Sequence, residues 1–169
     1  MALQHFFEQE KHTRDYLLPY FQKYIPDLPH RKVLEIGCAE GGFLKPLIQL
    51  GMDAHGIELS SARVSIALKH TPPLPVQEGD ITDPHICKQI STQFDLIVMR
   101  DVLEHIPNRE IMFENLRTLL KPAGYLYITF PPKYSAYGGH QQNAGSPVKL
   151  IPFIHLLPAA VVKKIGFWL

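Results

Sequence analysis

The chain has 169 residues, of which 46% are hydrophobic and 20% charged, a composition that indicates one globular domain and excludes fibrous and disordered classes. Its formal net charge of +1, without a cluster of lysines and arginines, argues against nucleic acid as a partner. Cys38 and Cys87 form no C-x-x-C pair, so we expect both thiols to be reduced in a cytoplasmic protein.

The first 30 residues are predicted to form a helical cover. Apolar side chains recur at helical spacing from about residue 4 to residue 24, and Pro19 interrupts the pattern, which indicates a pair of helices. No basic stretch followed by an apolar run begins the chain, so no signal peptide is expected. We interpret the pair as packing helices.

The next segment joins an apolar strand to a turn of small residues and a helix start. Residues 33–36 predict a buried strand, and Gly37 and Gly41 follow it. Glycine lets the backbone bend and lets a ligand approach closely, while the first N–H groups of the next helix face the bend. The segment therefore predicts a nucleotide-binding turn, with helix–strand packing alone as the alternative.

An acidic residue ends the second predicted strand. Glu58 follows the strand-like residues 54–57 and lies 23 positions after Glu35. A carboxylate about 20 residues past such a turn can accept hydrogen bonds from both ribose hydroxyls of an adenosine-type cofactor. The spacing predicts an adenosine-containing ligand, whereas a solvated strand end is the alternative for Glu58.

Three more strands and their connecting helices complete the pattern. Strands are predicted at residues 75–78, 94–99 and 125–130, and helices at 42–50, 60–69 and 108–120, with Asn108 as the N-cap of the last. The stretch Lys121-Pro122-Ala123-Gly124 is interpreted as the stop between that helix and the fifth strand. Alternating strands and helices predict an α/β fold, a doubly wound parallel sheet with helices on both faces.

In combination these motifs resemble the class I S-adenosylmethionine-dependent methyltransferases, across about residues 30–132. The resemblance rests on Glu35-Ile36-Gly37-Cys38-Ala39-Glu40-Gly41, on Glu58, on Asp80, and on Asp101-Val102-Leu103-Glu104-His105. The last motif is similar to that of the ubiquinone-biosynthesis O-methyltransferases. The resemblance implies a Rossmann-like sheet of strand order 3-2-1-4-5 and S-adenosylmethionine as the cofactor. Ala39 departs from the family pattern, because many members have glycine there.

The resemblance also implies that the N-terminal helices can close over the cofactor, which is the alternative to plain packing. It further implies roles for individual residues. The two glycines would border the methionine portion of the cofactor, Glu58 would hold the ribose, Leu59 would pack on the adenine, and Asp80 with Ile81 would contact its polar edge. A turn-capping aspartate is the alternative for Asp80. The implied cofactor-binding residues are Glu35, Gly37, Cys38, Ala39, Gly41, Glu58, Leu59, Asp80, Ile81 and Arg100.

Two histidines are candidate catalytic bases. His105 ends the post-strand motif, and a neutral imidazole can deprotonate a hydroxyl. His140 lies in the polar loop Tyr134-Ser135-Ala136-Tyr137-Gly138-Gly139-His140-Gln141-Gln142, which we expect to face the substrate. Structural roles in a turn and in a solvated loop are the respective alternatives. No bound metal is predicted, and the alternative implied by the resemblance is that the acids of the post-strand motif help to hold a divalent metal.

The C-terminal part lacks the last two strands of the resembled fold. Residues 1–30 form the helical cover, 31–132 the cofactor-binding core, and 133–169 a substrate-side loop with an apolar segment in which no pair of strand signals occurs. We expect a chain truncated after the fifth strand, whose open edge favours self-association or cover by a missing part. The apolar residues 151–157 indicate a lid, and therefore an amphiphilic acceptor and peripheral membrane contact.

The predicted function is methyl transfer from S-adenosylmethionine to a small-molecule or lipid-linked glycan acceptor, by O-methylation. A cofactor-binding remnant without turnover is one alternative. A nicotinamide-dependent oxidoreductase, built on a similar turn, is the other. The acceptor molecule and the oligomeric state do not follow from the sequence.

Overall fold

The computed structural model of the chain describes residues 2–132, 134–136 and 150–157. Two compact units are distinguished, residues Met1–Thr129 and Phe130–Leu169. The helices of the first unit are α1 (Ala2–His12), α2 (Leu18–Tyr24), α3 (Leu44–Gln49), α4 (Ser61–Leu68), α5 (Ile86–Ile90) and α6 (Arg109–Leu119). Its strands are β1 (Lys32–Ile36), β2 (Asp53–Glu58), β3 (Val76–Glu78), β4 (Phe94–Arg100) and β5 (Leu120–Thr129).

Within the described ranges the strands form one parallel sheet in the order β3-β2-β1-β4-β5. The predicted α/β class, the strand order and the wound connections are confirmed. Helices α3, α4 and α6 lie within two residues of their predicted bounds, and α6 begins directly after Asn108. The Asn108 side chain makes no capping hydrogen bond, so only the predicted position of the helix start is confirmed.

Each face of the sheet buries its own apolar cluster because successive strand residues point to opposite sides. In β1, Val33 packs with Phe6, Phe21 and Phe43 on the face covered by α1 to α4. Its neighbour Leu34 joins the cluster beneath α5 and α6 on the other face. Strand β4 is buried along almost its whole length, as expected for a central parallel strand.

The fifth strand begins five residues earlier than predicted. Leu120 already pairs with Phe94, and the register then shifts, so that Tyr125 pairs with Leu96. Ala123, in the predicted stop, has a left-handed backbone (φ +61°) inside this irregularity. The stretch Lys121-Pro122-Ala123-Gly124 is therefore a bulge within β5 and not a turn before it.

The N-terminal helices are joined by a π-helical segment, Thr13–Leu17. Thr13 is buried, and its hydroxyl donates to the carbonyl oxygen of Gln9 at 2.7 Å. Pro19 follows this segment, in the first turn of α2. The helical backbone continues without a break from α1 through the π segment into α2.

The second unit is described only in part. It contains a short 3-10 helix, Ile154–Leu156. Directly before this helix, the N–H of Phe153 donates to the carbonyl oxygen of Ala136 at 2.6 Å. Ile151 and Phe153 are exposed. Among the described residues no helix is long and apolar enough to cross a membrane.

Candidate active site

A cavity of about 570 Å³ lies at the carboxyl ends of β1 to β4. Open α/β sheets bind ligands at this edge, where the loops after parallel strands converge. Its wall is built by the residues that follow these four strands and by one side of α1. The position of the cavity follows from the strand order. The chain connects β1 to β2 on one side of the sheet and β4 to β5 on the other, so the loops after the two central strands separate and leave a crevice.

The glycine turn after β1 forms the floor of the cavity. Gly37 has φ +70°, and its N–H donates to the carbonyl oxygen of Ile57 at 2.8 Å, which fixes the turn to the end of β2. A Cβ at this position would overlap the side chain of Val102. Only glycine satisfies both the backbone conformation and the available space. Ala39 also lines the cavity, with a left-handed backbone of φ +51°.

Glu58 is held in one orientation at the end of β2. Only 6% of the residue is exposed. One carboxylate oxygen accepts from the N–H of Ala39 at 2.9 Å, and the other accepts from the N–H of Ser60 at 2.8 Å. Each oxygen can still accept another hydrogen bond. Glu58 lines the cavity and is therefore ready to accept two hydroxyl donors, as a ribose would supply.

Asp80 both caps a turn and lines the cavity. Oδ1 accepts from the N–H and the hydroxyl of Thr82, both at 2.8 Å, so the turn-capping role is present. Within the described part of the chain, no hydrogen bond to Oδ2 is recorded. Leu59 and Ile81 supply apolar surface to the same part of the cavity. This combination of a flat apolar wall and a free acceptor suits an adenine ring.

Behind the glycine turn, Arg100 is paired with a buried carboxylate. Its Nε and Nη2 donate to Oε1 of Glu35 at 3.0 and 2.6 Å. Glu35 is 1% exposed, and no hydrogen-bond partner is recorded for its Oε2 in the described ranges. Burial raises the pKa of the Glu35 carboxyl, and the neighbouring Arg100 offsets this only in part.

The structure brings most of the predicted cofactor residues around one cavity. Those on its wall are Gly37, Ala39, Glu58, Leu59, Asp80, Ile81 and Arg100. Three others do not line it. Glu35 lies buried behind Arg100, Cys38 packs against Gly56 and Leu44, and a Cβ on Gly41 would contact Leu74. In the structure, Cys38 and Gly41 have packing roles, and burial raises the pKa of the Cys38 thiol.

Helix α1, interpreted from the sequence as a packing helix with closure over the cofactor as the alternative, contributes to the cavity wall. His5, Glu8, Gln9 and His12 all line the cavity. They recur at positions i, i+3, i+4 and i+7, so they form one polar stripe on the helix. This spacing of polar residues is the sequence signal that could have indicated a helix face turned toward the cavity. The helix is anchored beside them by Phe6, whose ring stacks on His70 with centroids 4.4 Å apart.

The predicted bases have different outcomes. His105 ends a short 3-10 helix after β4 and lines the cavity, with 65% of its side chain exposed. Asp101 stands beside it on the cavity wall in a left-handed conformation (φ +53°). His140 lies outside the described residues. Within those residues, no group of three or more His, Cys, Asp or Glu side chains is arranged to hold a metal ion.

The chain is similar in sequence to known methyltransferases. It matches the family described as "Methyltransferase domain" over residues 5–156. It is 34% identical over 104 residues to phosphoethanolamine N-methyltransferase 2 of Caenorhabditis elegans, covering 60% of this chain and 24% of that protein. Over 118 residues it is 29% identical to the ubiquinone biosynthesis O-methyltransferase of Paraburkholderia phymatum, covering 67% of this chain and 51% of the relative. The chain thus spans about half or less of the length of these relatives.

Solved structures share the fold. A SAM-dependent methyltransferase from Archaeoglobus fulgidus has a TM-score of 0.57 at 23% identity, covering 79% of this chain and 61% of that one. The magnesium protoporphyrin IX methyltransferase of Synechocystis, solved with bound SAM, has a TM-score of 0.55 at 24% identity, covering 74% and 60%. Both likenesses concern the fold alone.

Proposed function

The chain belongs to the class I S-adenosylmethionine-dependent methyltransferases, and from this premise we propose that it transfers the methyl group of S-adenosylmethionine to a hydroxyl of a small-molecule acceptor. The observation that carries the proposal is the Glu58 carboxylate, fixed by two main-chain N–H groups on the wall of the cavity. Its remaining acceptor capacity suits the ribose of the cofactor.

The residues present fit the adenosine part of this cofactor. Asp80 and Leu59 offer an acceptor and an apolar surface for the adenine, Glu58 can accept from the ribose, and the turn at Gly37 brings main chain to the cavity wall. When bound, S-adenosylmethionine supplies a methyl carbon that its sulfonium sulfur already activates. The protein must therefore position the acceptor and exclude water from the cavity.

His105 is the residue we assign to the acceptor side. Most of its imidazole is exposed, and it lines the same cavity as Glu58. A neutral imidazole can take the proton of an acceptor hydroxyl as the oxygen attacks the methyl carbon. The relatives include an O-methyltransferase and an N-methyltransferase, so the acceptor atom is a matter for experiment.

The first experiment measures cofactor binding by isothermal titration calorimetry with S-adenosylhomocysteine. Glu58→Ala removes an acceptor from the two ribose hydroxyls, and we expect the dissociation constant to rise about 100-fold. Glu78→Ala is the matched control, because Glu78 is the exposed register partner of Glu58 on β3 and does not line the cavity. An unchanged affinity in Glu58→Ala would remove this residue from the site.

The second experiment follows labelled methyl transfer to a panel of acceptors that carry a phenol, an alcohol or an amine. We expect the hydroxyl acceptors to be methylated, and we expect His105→Gln to lower kcat about 100-fold with cofactor affinity retained. Methylation of amines alone would redirect the proposal to N-methylation. Cofactor binding without any product would favour the remnant, and thermal stabilisation by NAD instead of S-adenosylhomocysteine would favour the oxidoreductase.

A further inference from the structure

The loop that follows β3, residues 79–85, contributes to the cavity wall but leaves the sheet from its edge. Strand β3 is only three residues long and stands at the end of the strand order, paired with β2. The last recorded main-chain hydrogen bond between this strand and β2 joins the N–H of Gly79 to the carbonyl oxygen of Glu58, at 3.0 Å. Asp80 and Ile81 line the cavity directly after this bond. The sheet by itself therefore does not fix the position of Asp80.

A side chain of α6 holds this loop from outside the sheet. Nδ2 of Asn115 donates to the carbonyl oxygen of Ile81 at 2.7 Å and to that of Asp83 at 3.3 Å. Both partners can only accept, so the amide nitrogen is the atom that must face them. Asn115 is 9% exposed and does not itself line the cavity. These two hydrogen bonds, the Asn115 clip, join α6 to residues 34 and 32 positions earlier in the chain.

Apolar contacts also attach the loop to α6, but they do not determine its register. The side chain of Ile81 belongs to the buried cluster that contains Met112 and Leu116 of this helix. Apolar burial has no preferred direction, whereas a hydrogen bond restricts both distance and angle. The stronger bond of the clip ends on the carbonyl group of Ile81, the residue next to Asp80. The clip therefore restricts the backbone one residue away from the acceptor on the cavity wall.

We propose that Asn115 is a positioning residue for base recognition: its clip holds the loop in the register at which the Asp80 carboxylate meets the base, and so sets the preference for a 6-aminopurine over a 6-oxopurine. The inference rests on the proposed function, in which the cavity binds S-adenosylmethionine. Oδ1 of Asp80 already accepts from Thr82. A carboxylate accepts from the 6-amino group of adenine but repels the 6-oxo group of hypoxanthine, so a small shift of Asp80 changes the discrimination between the two bases.

The test compares two ligands that differ in the base. S-adenosylhomocysteine and its deaminated analogue, S-inosylhomocysteine, are titrated calorimetrically, and the ratio of their dissociation constants is the readout. For the unaltered chain we expect the adenine ligand to bind about 100-fold more tightly, since a site built to accept from an amino group rejects an analogue that lacks it. Equal affinities would overturn the role of Asn115 and leave cofactor binding intact. Failure to bind either ligand would overturn the proposed function as well.

Two variants separate the hydrogen bonds of the clip from the volume of the side chain. Asn115→Leu keeps the branched shape and removes the donor, whereas Asn115→Ala removes both. We expect the ratio to fall from about 100 to about 10 or less in each variant, because the loop is then held by apolar contacts alone. A general loss of packing would weaken both ligands alike and leave the ratio unchanged. A ratio that falls in Asn115→Ala but stays near that of the unaltered chain in Asn115→Leu would overturn the proposal.

Gln93→Leu is the matched control, because Gln93 makes the same kind of contact at the other end of α6. Its Nε2 donates to the carbonyl oxygens of Thr118 at 3.0 Å and of Leu120 at 3.5 Å, and the residue does not line the cavity. Its loss should leave the ratio of the unaltered chain intact. A ratio in Gln93→Leu as low as in the Asn115 variants would overturn the specific assignment to Asn115.

If neither Asn115 variant folds, Asn115→Ser takes their place. The serine hydroxyl ends one bond nearer the backbone than the amide nitrogen, so it should not reach both carbonyl oxygens. We expect its ratio to fall to about 10 or less. A fully retained ratio in Asn115→Ser would overturn the proposal.

Discussion

Two carboxylates on the same sheet have pKa values shifted in opposite directions, because they differ in burial and in the number of their hydrogen-bond donors. Asp95, near the amino end of β4, accepts from the N–H of Lys32 at 2.9 Å, from Lys121 at 2.8 Å and from Arg31 at 3.3 Å. Burial alone would raise its pKa, but these three donors outweigh burial and hold the pKa of Asp95 below its ordinary value. Glu35, toward the carboxyl end of β1, is more deeply buried, and Arg100 is its only hydrogen-bond donor among the described residues. Burial therefore outweighs Arg100 and raises the pKa of Glu35.

The difference indicates that the amino ends of the strands contribute to stability, whereas their carboxyl ends are suited to ligand binding. At the amino end of the sheet both Asp95 oxygens have partners, which completes the local structure. At the carboxyl end, Oε2 of Glu35 and Oε1 of Gln9 are buried without a hydrogen-bond partner within the described ranges. Buried polar groups are normally paired, so unused capacity concentrated around one cavity is what a polar ligand requires.

The largest expected effect tests whether the carboxyl edge tolerates any added volume. Gly37→Ala combines a left-handed backbone (φ +70°) with an overlap against Val102, so we expect a loss of about 4 kcal/mol in unfolding free energy. Gly51→Ala is the matched control before β2, with φ +78° and open space around it, and should lose only about 1 kcal/mol. Urea unfolding measures both.

Val102→Ala in the Gly37→Ala background should restore part of the lost stability, because it makes room for the new methyl group. A Gly37→Ala chain that is as stable as Gly51→Ala would show that the contact with Val102 imposes no constraint. Calorimetry with S-adenosylhomocysteine should show weakened binding in Gly37→Ala and unchanged binding in Gly51→Ala.

The next effect addresses the amino edge. Asp95→Ala removes the acceptor from one main-chain N–H and two cations, and we expect the unfolding free energy to fall by about 2 kcal/mol. The affinity of the folded chain for S-adenosylhomocysteine should not change, because Asp95 does not line the cavity. A loss of affinity comparable to that of Glu58→Ala would break the proposed separation of the two edges.

A pH series isolates the ionised form of Asp95. Because its pKa is lowered in the folded state, the stabilisation is fully present above the ordinary pKa and is lost as the pH falls through the folded-state pKa. We expect the difference in unfolding free energy between the unaltered chain and Asp95→Asn to shrink as the pH decreases from about 6 to about 3. A pH-independent difference would assign the stabilisation to geometry alone.

The smallest effect compares two alanines with left-handed backbones, one at each edge. Ala39→Gly and Ala123→Gly remove similar strain, at φ +51° and φ +61°, and each should gain about 1 kcal/mol of unfolding free energy. Only Ala39→Gly should also tighten S-adenosylhomocysteine binding, since Ala39 lines the cavity and its N–H holds Glu58. Equal ligand affinities in both variants would contradict this.

Local pattern was sufficient for the order of strands and helices. Buried strands such as 94–99 are continuous apolar runs, and the turn at Gly37 together with Glu58 locates the ligand edge. The predicted start of β5 is wrong because Leu120 already pairs with Phe94 before a bulge. The proline and glycine within that bulge are typical of a turn, so the sequence predicts the end of a helix there. Tertiary pairing there prevails over the local signals of proline and glycine.

The polar interior of the site was harder to predict. Glu35 and Arg100 are 65 positions apart, and nothing in either local pattern indicates that the two side chains bond to each other. The sequence pattern around Cys38 and Gly41 suggests ligand contact, whereas both pack against neighbouring elements. Side-chain direction around a turn depends on backbone dihedrals, which spacing alone does not specify.

The π segment Thr13–Leu17 sets the rotational phase of the N-terminal helix. Thr13 and Leu18 are both buried although they are five residues apart, which is the repeat of a π turn. The extra residue turns α1 by about 100° around its own axis relative to α2. Phe6 and Phe21 can therefore both reach the interior while His5 and His12 line the cavity. Deleting a single residue from this segment would swing the histidines away from the cavity without shortening either helix.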